Sequence, residues 1–401
     1  MDFTNISKFV KTNFEFKSFV FEGLHDMPEG IDVYLKRTRK TAACPLCTRT
    51  RCKIEFLYTR KIRDIDFRKK CTLIFPQAKI NCMCGYRGIE RLEFVDKHSL
   101  HTKRFEEAVA KLCEKTTIKD AAEICKIDWK TAKNIDKKAL SKLKVSLAEV
   151  CPEGIGIDEV AYQKGHNYLT ITRELEANRV IWIGIGRKKE ILDQFFIELG
   201  IEKAAKIRVA SMDMWDPFIA SVKEYCPCAD IVFDKFHVSK KVNEALDAIR
   251  KSEFSNADPI VKKDMKHKRF LMLGRRKNLS KQEEESLENL MKNNTKLYKA
   301  YLLKEQILDV FNELNPLVAM RRLIIWFANV REAKIMEYIP VLNTIINYLP
   351  GIINYFKYHI TNAASEAINN KINVIKRMAY GFHDIEYFKL KILQRCGRRS
   401  S

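Results

Sequence analysis

Long apolar runs are missing from this chain. Across 401 residues none approaches the roughly 18 consecutive apolar positions of a membrane-spanning helix, so no integral membrane protein is expected. The opening stretch, MDFTNISKFVKTNFEF, lacks the apolar centre of a secretory leader, which argues against export. No internal repeat is visible, which sets aside solenoid architectures. Acids are in short supply: 51 Asp and Glu face 73 Lys and Arg, a net charge of +22. That surplus, spread along the whole chain, predicts a polyanionic partner. An anionic membrane surface is the rival partner, and the missing spanning segment weighs against it. The shortage is sharpest in TNAASEAINNKINVIKRMAYGF, residues 361–382, where Glu366 is the one acid.

Hydrophobic residues make up 46% of the chain, enough for a real core, and the length suits two or three domains. Twelve cysteines in a reducing compartment read as metal ligands or buried thiols rather than disulfides. Residues 1–100 hold short strand-like segments (FEFKSFVFEG, GIDVYLKRT, CKIEFLYTR, CTLIFPQAKI, RLEFVDK) interrupted by two cysteine pairs. Residues 104–148 are helical, and CPEG at 151–154 marks a boundary. Three strand signals follow in a row, GIGIDEVAYQ, NYLTITREL and RVIWIGIGR. After them helix and strand alternate through KIRVASMD and ADIVFDKF. From 238 to about 357 only helical patterns occur. The expected division is a cysteine-bearing β-rich module at 1–103, a helix-turn-helix at 104–150, an α/β core at 151–237, an all-helical insertion at 238–350 and the rest of the core at 351–401.

Asp158 closes the apolar run GIGI, and Asp213 closes IRVASM. A carboxylate ending a buried strand is costly unless it faces solvent, a base or a metal. Ile368, Ile372 and Ile375 give the late helix a packing face, while Asn362, Glu366, Asn369, Asn370, Asn373 and Arg377 follow the opposite one. Acids from separate elements that converge on one point suit hard divalent cations, and two such ions can activate a nucleophile and stabilise a leaving oxygen. Asp158, Asp213 and Glu366 fit that requirement, with Asn370, Lys376 and Arg377 placed to contact DNA phosphates.

The segments GIDEVAYQKGHNYLTIT, VASMDMWDPF, IVFDKFHVSKKVNEALDAIRK and TNAASEAINNKINVIKRMAYGF resemble, in order, those of the ISL-three family of bacterial insertion-sequence transposases, and the likeness covers essentially the whole chain. The resemblance implies an RNase-H-like, retroviral-integrase-like core with a DDE triad, which maps to Asp158, Asp213 and Glu366, served by Mg2+ or Mn2+. It also covers Asp234 and His237. Asp234 is the rival of Asp213 as second acid; with Asp213 chosen, Asp234 and His237 become a supporting or end-handling pair. The chain departs from the family pattern at Ala367, where Gly is common, and at Glu174, where Asp is frequent.

Cys44 and Cys47 (CPLC) with Cys82 and Cys84 (CMC) form two close thiol pairs that suit tetrahedral zinc. The second pair is spaced more tightly than usual, and Cys52 and Cys71 are spare candidates. The family resemblance strengthens the zinc reading. TTIKDAAEICKIDWKTAKNIDKKAL has a helix-turn-helix rhythm. Ile118, Ala121, Ala122 and Ile124 pack its first helix, Asp128 caps the second, and Lys130, Lys133, Lys137 and Lys138 are expected on the exposed face. The expected function is a bacterial, cytoplasmic and nucleoid-associated transposase. It would bind the terminal inverted repeats of its element, cut there, and join the freed end to target DNA, as a homo-oligomer on paired ends. The rivals are a DNA-binding regulator with an inert core and an RNase-H-like structure-specific nuclease.

Overall fold

The computed structural model describes residues 16–142, 147–163, 165, 167–292, 294–360, 363–379 and 381–397, so Asn362 lies outside the described residues. The chain divides into two compact units, 1–143 and 144–401. Among the described residues no helix is long and apolar enough to cross a membrane.

Among the described residues the first unit is a sheet followed by three helices. β1 (Phe19–Met27), β2 (Gly30–Arg37), β3 (Lys53–Phe67) and β4 (Lys69–Asn81) lie in the order β1-β2-β4-β3, and the short β5 (Arg87–Ile89) pairs with the end of β4. Inward-facing Phe19, Val33, Leu35, Ile62, Leu73 and Phe75 form the core, and Cys71 is buried among them. The segment RLEFVDK, expected as a strand, makes only an isolated bridge between Val95 and Thr102. Its apolar alternation still buries Leu92 and Val95 against the sheet, so the pattern reports burial without a ladder. Helices Lys103–Lys115, Ile118–Ile124 and Trp129–Leu140 share a second small core with Ile65 of β3. Their starts are fixed locally. Thr102 accepts from Phe105, Thr117 and Asp120 form a reciprocal capping box, and Asp128 accepts from Lys130. Lys126, at φ 52°, makes the tight turn between the last two helices.

The second unit is built on β6 (Gly154–Gln163), β7 (Asn167–Glu174), β8 (Arg179–Ile185), β9 (Val209–Met212) and β10 (Asp230–Phe233), in the order β10-β9-β6-β7-β8. β6, β7 and β8 are an antiparallel meander, while β9 and β10 run parallel to β6. Helices Lys189–Leu199 and Asp216–Tyr225 lie in the connections from β8 to β9 and from β9 to β10, the crossover that parallel pairing requires. Both faces of the sheet are covered. On one, Val160, Leu169, Ile171, Val180 and Ile183 meet Ile368, Ile372 and Ile375 of helix Ala363–Met378 and Phe388 and Ile392 of helix Ile385–Cys396. On the other, Phe195, Phe196, Phe218 and Val232 belong to a core that continues without a break into the helices between 235 and 358, through Leu246, Ile307, Trp326, Tyr338 and Phe356. The helical stretch therefore shares its hydrophobic core with the sheet. Gly351 marks how closely the two meet: a Cβ there would lie 2.4 Å from the Phe233 ring.

Candidate active site

The sheet register brings three aspartates level. Gly156 pairs with Ser211 and Met212 with Phe233, so continuing that register sets Asp158, within β6, level with Asp213 and Asp234, each one residue past the end of its parallel strand. Each is then held differently. Asp158 Oδ1 accepts from the Glu159 backbone N–H at 2.7 Å, and its Oδ2 accepts from Asn369 Nδ2 at 2.7 Å. Burial pushes the Asp158 carboxyl above the usual carboxylate range, the Asn369 amide opposes that, and the Asp213 charge adds to it. Asp213 lies just past β9 with its side chain open to solvent, and His237 Nε2 donates to its Oδ1 at 2.5 Å. That bond raises the His237 pKa. Asp234 is buried and caps helix Lys235–Asn256, accepting from the Phe236 N–H at 3.1 Å. His237 thus links the end of β10 to Asp213, while Asp234 is occupied with the helix start.

Glu366 is exposed on helix Ala363–Met378, one turn before Asn369. The helix is seated by its isoleucine stripe on the β6–β8 face and by Ser365, whose Oγ accepts from Arg173 Nε at 3.1 Å. Arg173 is buried and lies over Gly156, where a Cβ would sit 2.5 Å from Arg173 Nε. Among the described residues the carboxylates Asp158, Asp213 and Glu366 are not drawn within 4.8 Å of one another, whereas the four cysteines are. Of the polar residues on the Glu366 helix, Asn369 turns to Asp158 and Lys376 donates to the Ala161 carbonyl at 3.0 Å; Asn370 and Arg377 are exposed.

Several residues beside the carboxylates carried no signal in the sequence. Glu159 follows Asp158, and burial raises its pKa to about 7, opposed by Arg187. Arg187 lies 3.7 Å from Glu159 and is flanked by the rings of Tyr168 and Trp215. Asn369 could have been suspected from its position one turn after Glu366. Trp215 lies two residues past Asp213 in the chain, but Arg187 could not have been suspected, because only the fold brings it to Trp215 and Glu159.

The cysteine cluster is a built site. Sγ of Cys44 and Cys84 are 3.7 Å apart and those of Cys47 and Cys82 3.5 Å, close to the ~3.8 Å edge of a tetrahedron with bonds of about 2.3 Å. Thr48 (φ 59°) and Gly85 (φ 88°) turn the chain just after each pair, which lets the tight Cys-x-Cys spacing reach the same point as Cys-x-x-Cys. The Cys84 backbone N–H lowers the Cys82 thiol to about 6, toward the thiolate a metal needs. Cys52 is buried and pushed up to about 11 by that burial. Cys71 is pushed up to about 12 in the sheet core, and both lie outside the four-cysteine group.

In the helix-turn-helix, Lys130 is exposed, but Lys133 and Lys137 are half-buried. Lys138, expected on the free face, is instead bonded to Asp96 and Glu106, at 2.6 Å each. Ile124, expected in the core, is exposed because helix Ile118–Ile124 ends there.

Comparison with known proteins gives the same picture over nearly the full length. A family model described as "Transposase", of the DDE ISL3 kind, matches residues 155–392, and one described as "Helix-turn-helix domain of transposase family ISL3" matches residues 90–140. The transposase for insertion sequence element IS1001 of Bordetella parapertussis is 30% identical over 373 residues, covering 90% of each chain. The transposase for IS1557 of Mycobacterium tuberculosis is 26% identical over 369 residues, covering 85% of this chain and 82% of the relative. A DDE transposase domain implies a divalent metal, and the four-cysteine cluster suggests zinc. This chain belongs to the ISL3 family of DNA-binding transposases.

Proposed function

We propose that the chain cuts DNA at the terminal inverted repeats of its own insertion sequence and joins the freed 3′ end to target DNA, using Asp158, Asp213 and Glu366 to hold Mg2+ or Mn2+. The observation that carries this reading is the register that sets Asp158, in the middle of β6, level with Asp213, just past the end of parallel β9, with the Glu366 helix packed on the same sheet. The antiparallel meander followed by two parallel strands, β10-β9-β6-β7-β8, supports the RNase-H-like reading of the core. The donor set fits hard cations: Asp158 is a half-buried carboxylate raised by burial and by a neighbouring negative charge, which a bound cation relieves. Such a cation supplies Lewis-acid activation at the scissile phosphate. Asn369 and the Glu159 N–H orient Asp158, His237 orients Asp213, and the Arg173–Ser365 bond fixes the turn that carries Glu366. Cys44, Cys47, Cys82 and Cys84 hold a structural zinc, which closes the β4–β5 end of the first unit. The helix Trp129–Leu140 reads the repeats, with Lys130, Lys133 and Lys137 on it, and two or more copies act on paired ends.

The test uses purified full-length protein and duplexes taken from the flanks of its gene. Asp158→Asn, Asp213→Asn and Glu366→Gln are expected to retain end binding and to lose metal-dependent cleavage by at least about a hundredfold. Asp234→Asn, whose amide oxygen can still accept the Phe236 N–H and cap the helix, is expected to cleave. If Asp234→Asn is dead while Asp213→Asn cuts, the second acid is Asp234. An active site without any metal-dependent cutting of end DNA points to a regulator, and cutting without strand-transfer product points to a nuclease.

A further inference from the structure

Several cations around the carboxylates are committed at short range. Arg173 is buried and bonded to Ser365, Arg179 pairs with Glu174, Lys189 pairs with Asp193 and Glu224, Lys376 is on the Ala161 carbonyl, and His237 is on Asp213. Arg187 is different. β8 ends at Ile185, and Gly186, at φ 116°, turns the chain and donates to the Tyr168 carbonyl at 2.8 Å. The Arg187 guanidinium carbon then lies 4.4 Å from the Tyr168 ring centre and 4.9 Å from that of Trp215. Trp215 Nε1 donates to the Arg187 carbonyl at 3.1 Å, and the Trp215 N–H donates to the Asp213 carbonyl at 2.8 Å, so the ring beside the guanidinium belongs to the same turn as Asp213. Among the described residues its acidic neighbour is Glu159 at 3.7 Å, beyond hydrogen-bond length. The side chain of Arg187 is 38% exposed and that of Asp213 41%, so both are open to an incoming ligand.

Stacking on two rings fixes the plane of a guanidinium and leaves its edge, with its fork of N–H donors, pointing outward. A DNA backbone phosphate approaching Asp158, Asp213 and Glu159 meets repulsion that the diffuse positive charge of the chain does not cancel locally. We infer that Arg187, cradled by Tyr168 and Trp215, is a phosphate clamp that grips one backbone phosphate of the DNA beside Asp158 and Asp213. The bidentate fork suits a phosphate, and the aromatic cradle holds it ready without the flexibility of a lysine. This rests on the cutting-site reading proposed above, so the test separates the two.

Full-length protein is titrated, with magnesium and manganese omitted, against end-containing duplexes in which a single neutral methylphosphonate is walked across the end. In the wild type one position near the cut costs affinity. In Arg187→Gln that position is expected to lose its penalty while the other positions keep theirs. Affinity for the unmodified duplex should fall about tenfold, and the slope of log affinity against log salt should drop by about one. Arg187→Lys keeps the charge and the salt slope; its expected defect is slow cleavage at unchanged affinity, and it serves as the reporter should Arg187→Gln fail to fold. An unchanged methylphosphonate profile in a folded Arg187→Gln overturns the clamp and leaves Arg187 as a neutraliser of Glu159, in which case Glu159→Gln restores the variant. Absence of metal-dependent cleavage by the wild type overturns the cutting-site reading instead, whatever the binding profile.

Discussion

Gly156 shows what a single position can hold in place. The missing side chain leaves room for Arg173, and Arg173 in turn reaches Ser365, the residue before Glu366. Gly156→Ala puts a methyl 2.5 Å from Arg173 Nε, and a buried, hydrogen-bonded guanidinium has little room to retreat. The expected loss is about 1–3 kcal/mol in urea unfolding, together with a cleavage defect larger than that loss explains. Combining Gly156→Ala with Arg173→Ala should cost less than the sum of the two, because the clash disappears with the side chain. Additive effects would show that Arg173 yields without strain. Residues such as Asp158 and Asp213 were legible because a carboxylate ending an apolar run is conspicuous. Arg173 and Arg187 were not, since a cation in a basic chain stands out only once strand order shows what it touches.

At the level of elements, the start of the third helix of the first unit was readable to the residue because its cap is local: Asp128 sits in the sequence beside the N–H it satisfies. How this helix docks was not readable, since Lys138 finds Asp96 and Glu106 through the fold. The Lys138 bond holds the Asp96 carboxyl below the usual carboxylate range. A depressed pKa contributes stability that is complete above the unfolded value and is lost as pH falls through the folded one, so this contact weakens below about pH 4. Both side chains are substantially exposed, which limits the contribution to about 0.3–1 kcal/mol. Asp96→Asn should therefore lower urea stability by that amount at pH 7 and by progressively less as the pH is taken below about 4; an equal loss at every pH would show packing rather than charge. The helix carrying Glu366 is held by apolar contact. Ile372 is fully buried on the β6–β8 face, and Ile372→Ala should cost about 2–5 kcal/mol and speed amide exchange along 363–378 before the rest of the sheet. Uniform exchange would mean that the helix opens only with the whole unit.

Over the whole molecule the two units have separate cores and separate vulnerabilities. A structural zinc couples metal binding to folding, so a zinc chelator or Cys44→Ser should lower the melting transition of the first unit and leave that of the second in place. Scanning calorimetry of the full chain, with and without chelator, reads this directly; a first transition indifferent to chelator and to Cys44→Ser would remove zinc from the account. The sequence indicated an all-helical stretch after His237, but hydrophobic periodicity within each helix does not show which other elements share a core. That Trp326 and Tyr338 are continuous with Phe195 and Val232 emerged only from the fold.

Helix Ala363–Met378 comes near the end of the chain, and the strands it covers come much earlier. Synthesis proceeds from the N-terminus, and domains fold as units as they emerge. The sheet and helices of the first unit therefore emerge, and can fold, before the helix that carries Glu366 has been translated. A chain interrupted before Ala363 leaves Val160, Leu169, Ile171 and Val180 bare on an open sheet face. Such a fragment is a natural target for aggregation and proteolysis.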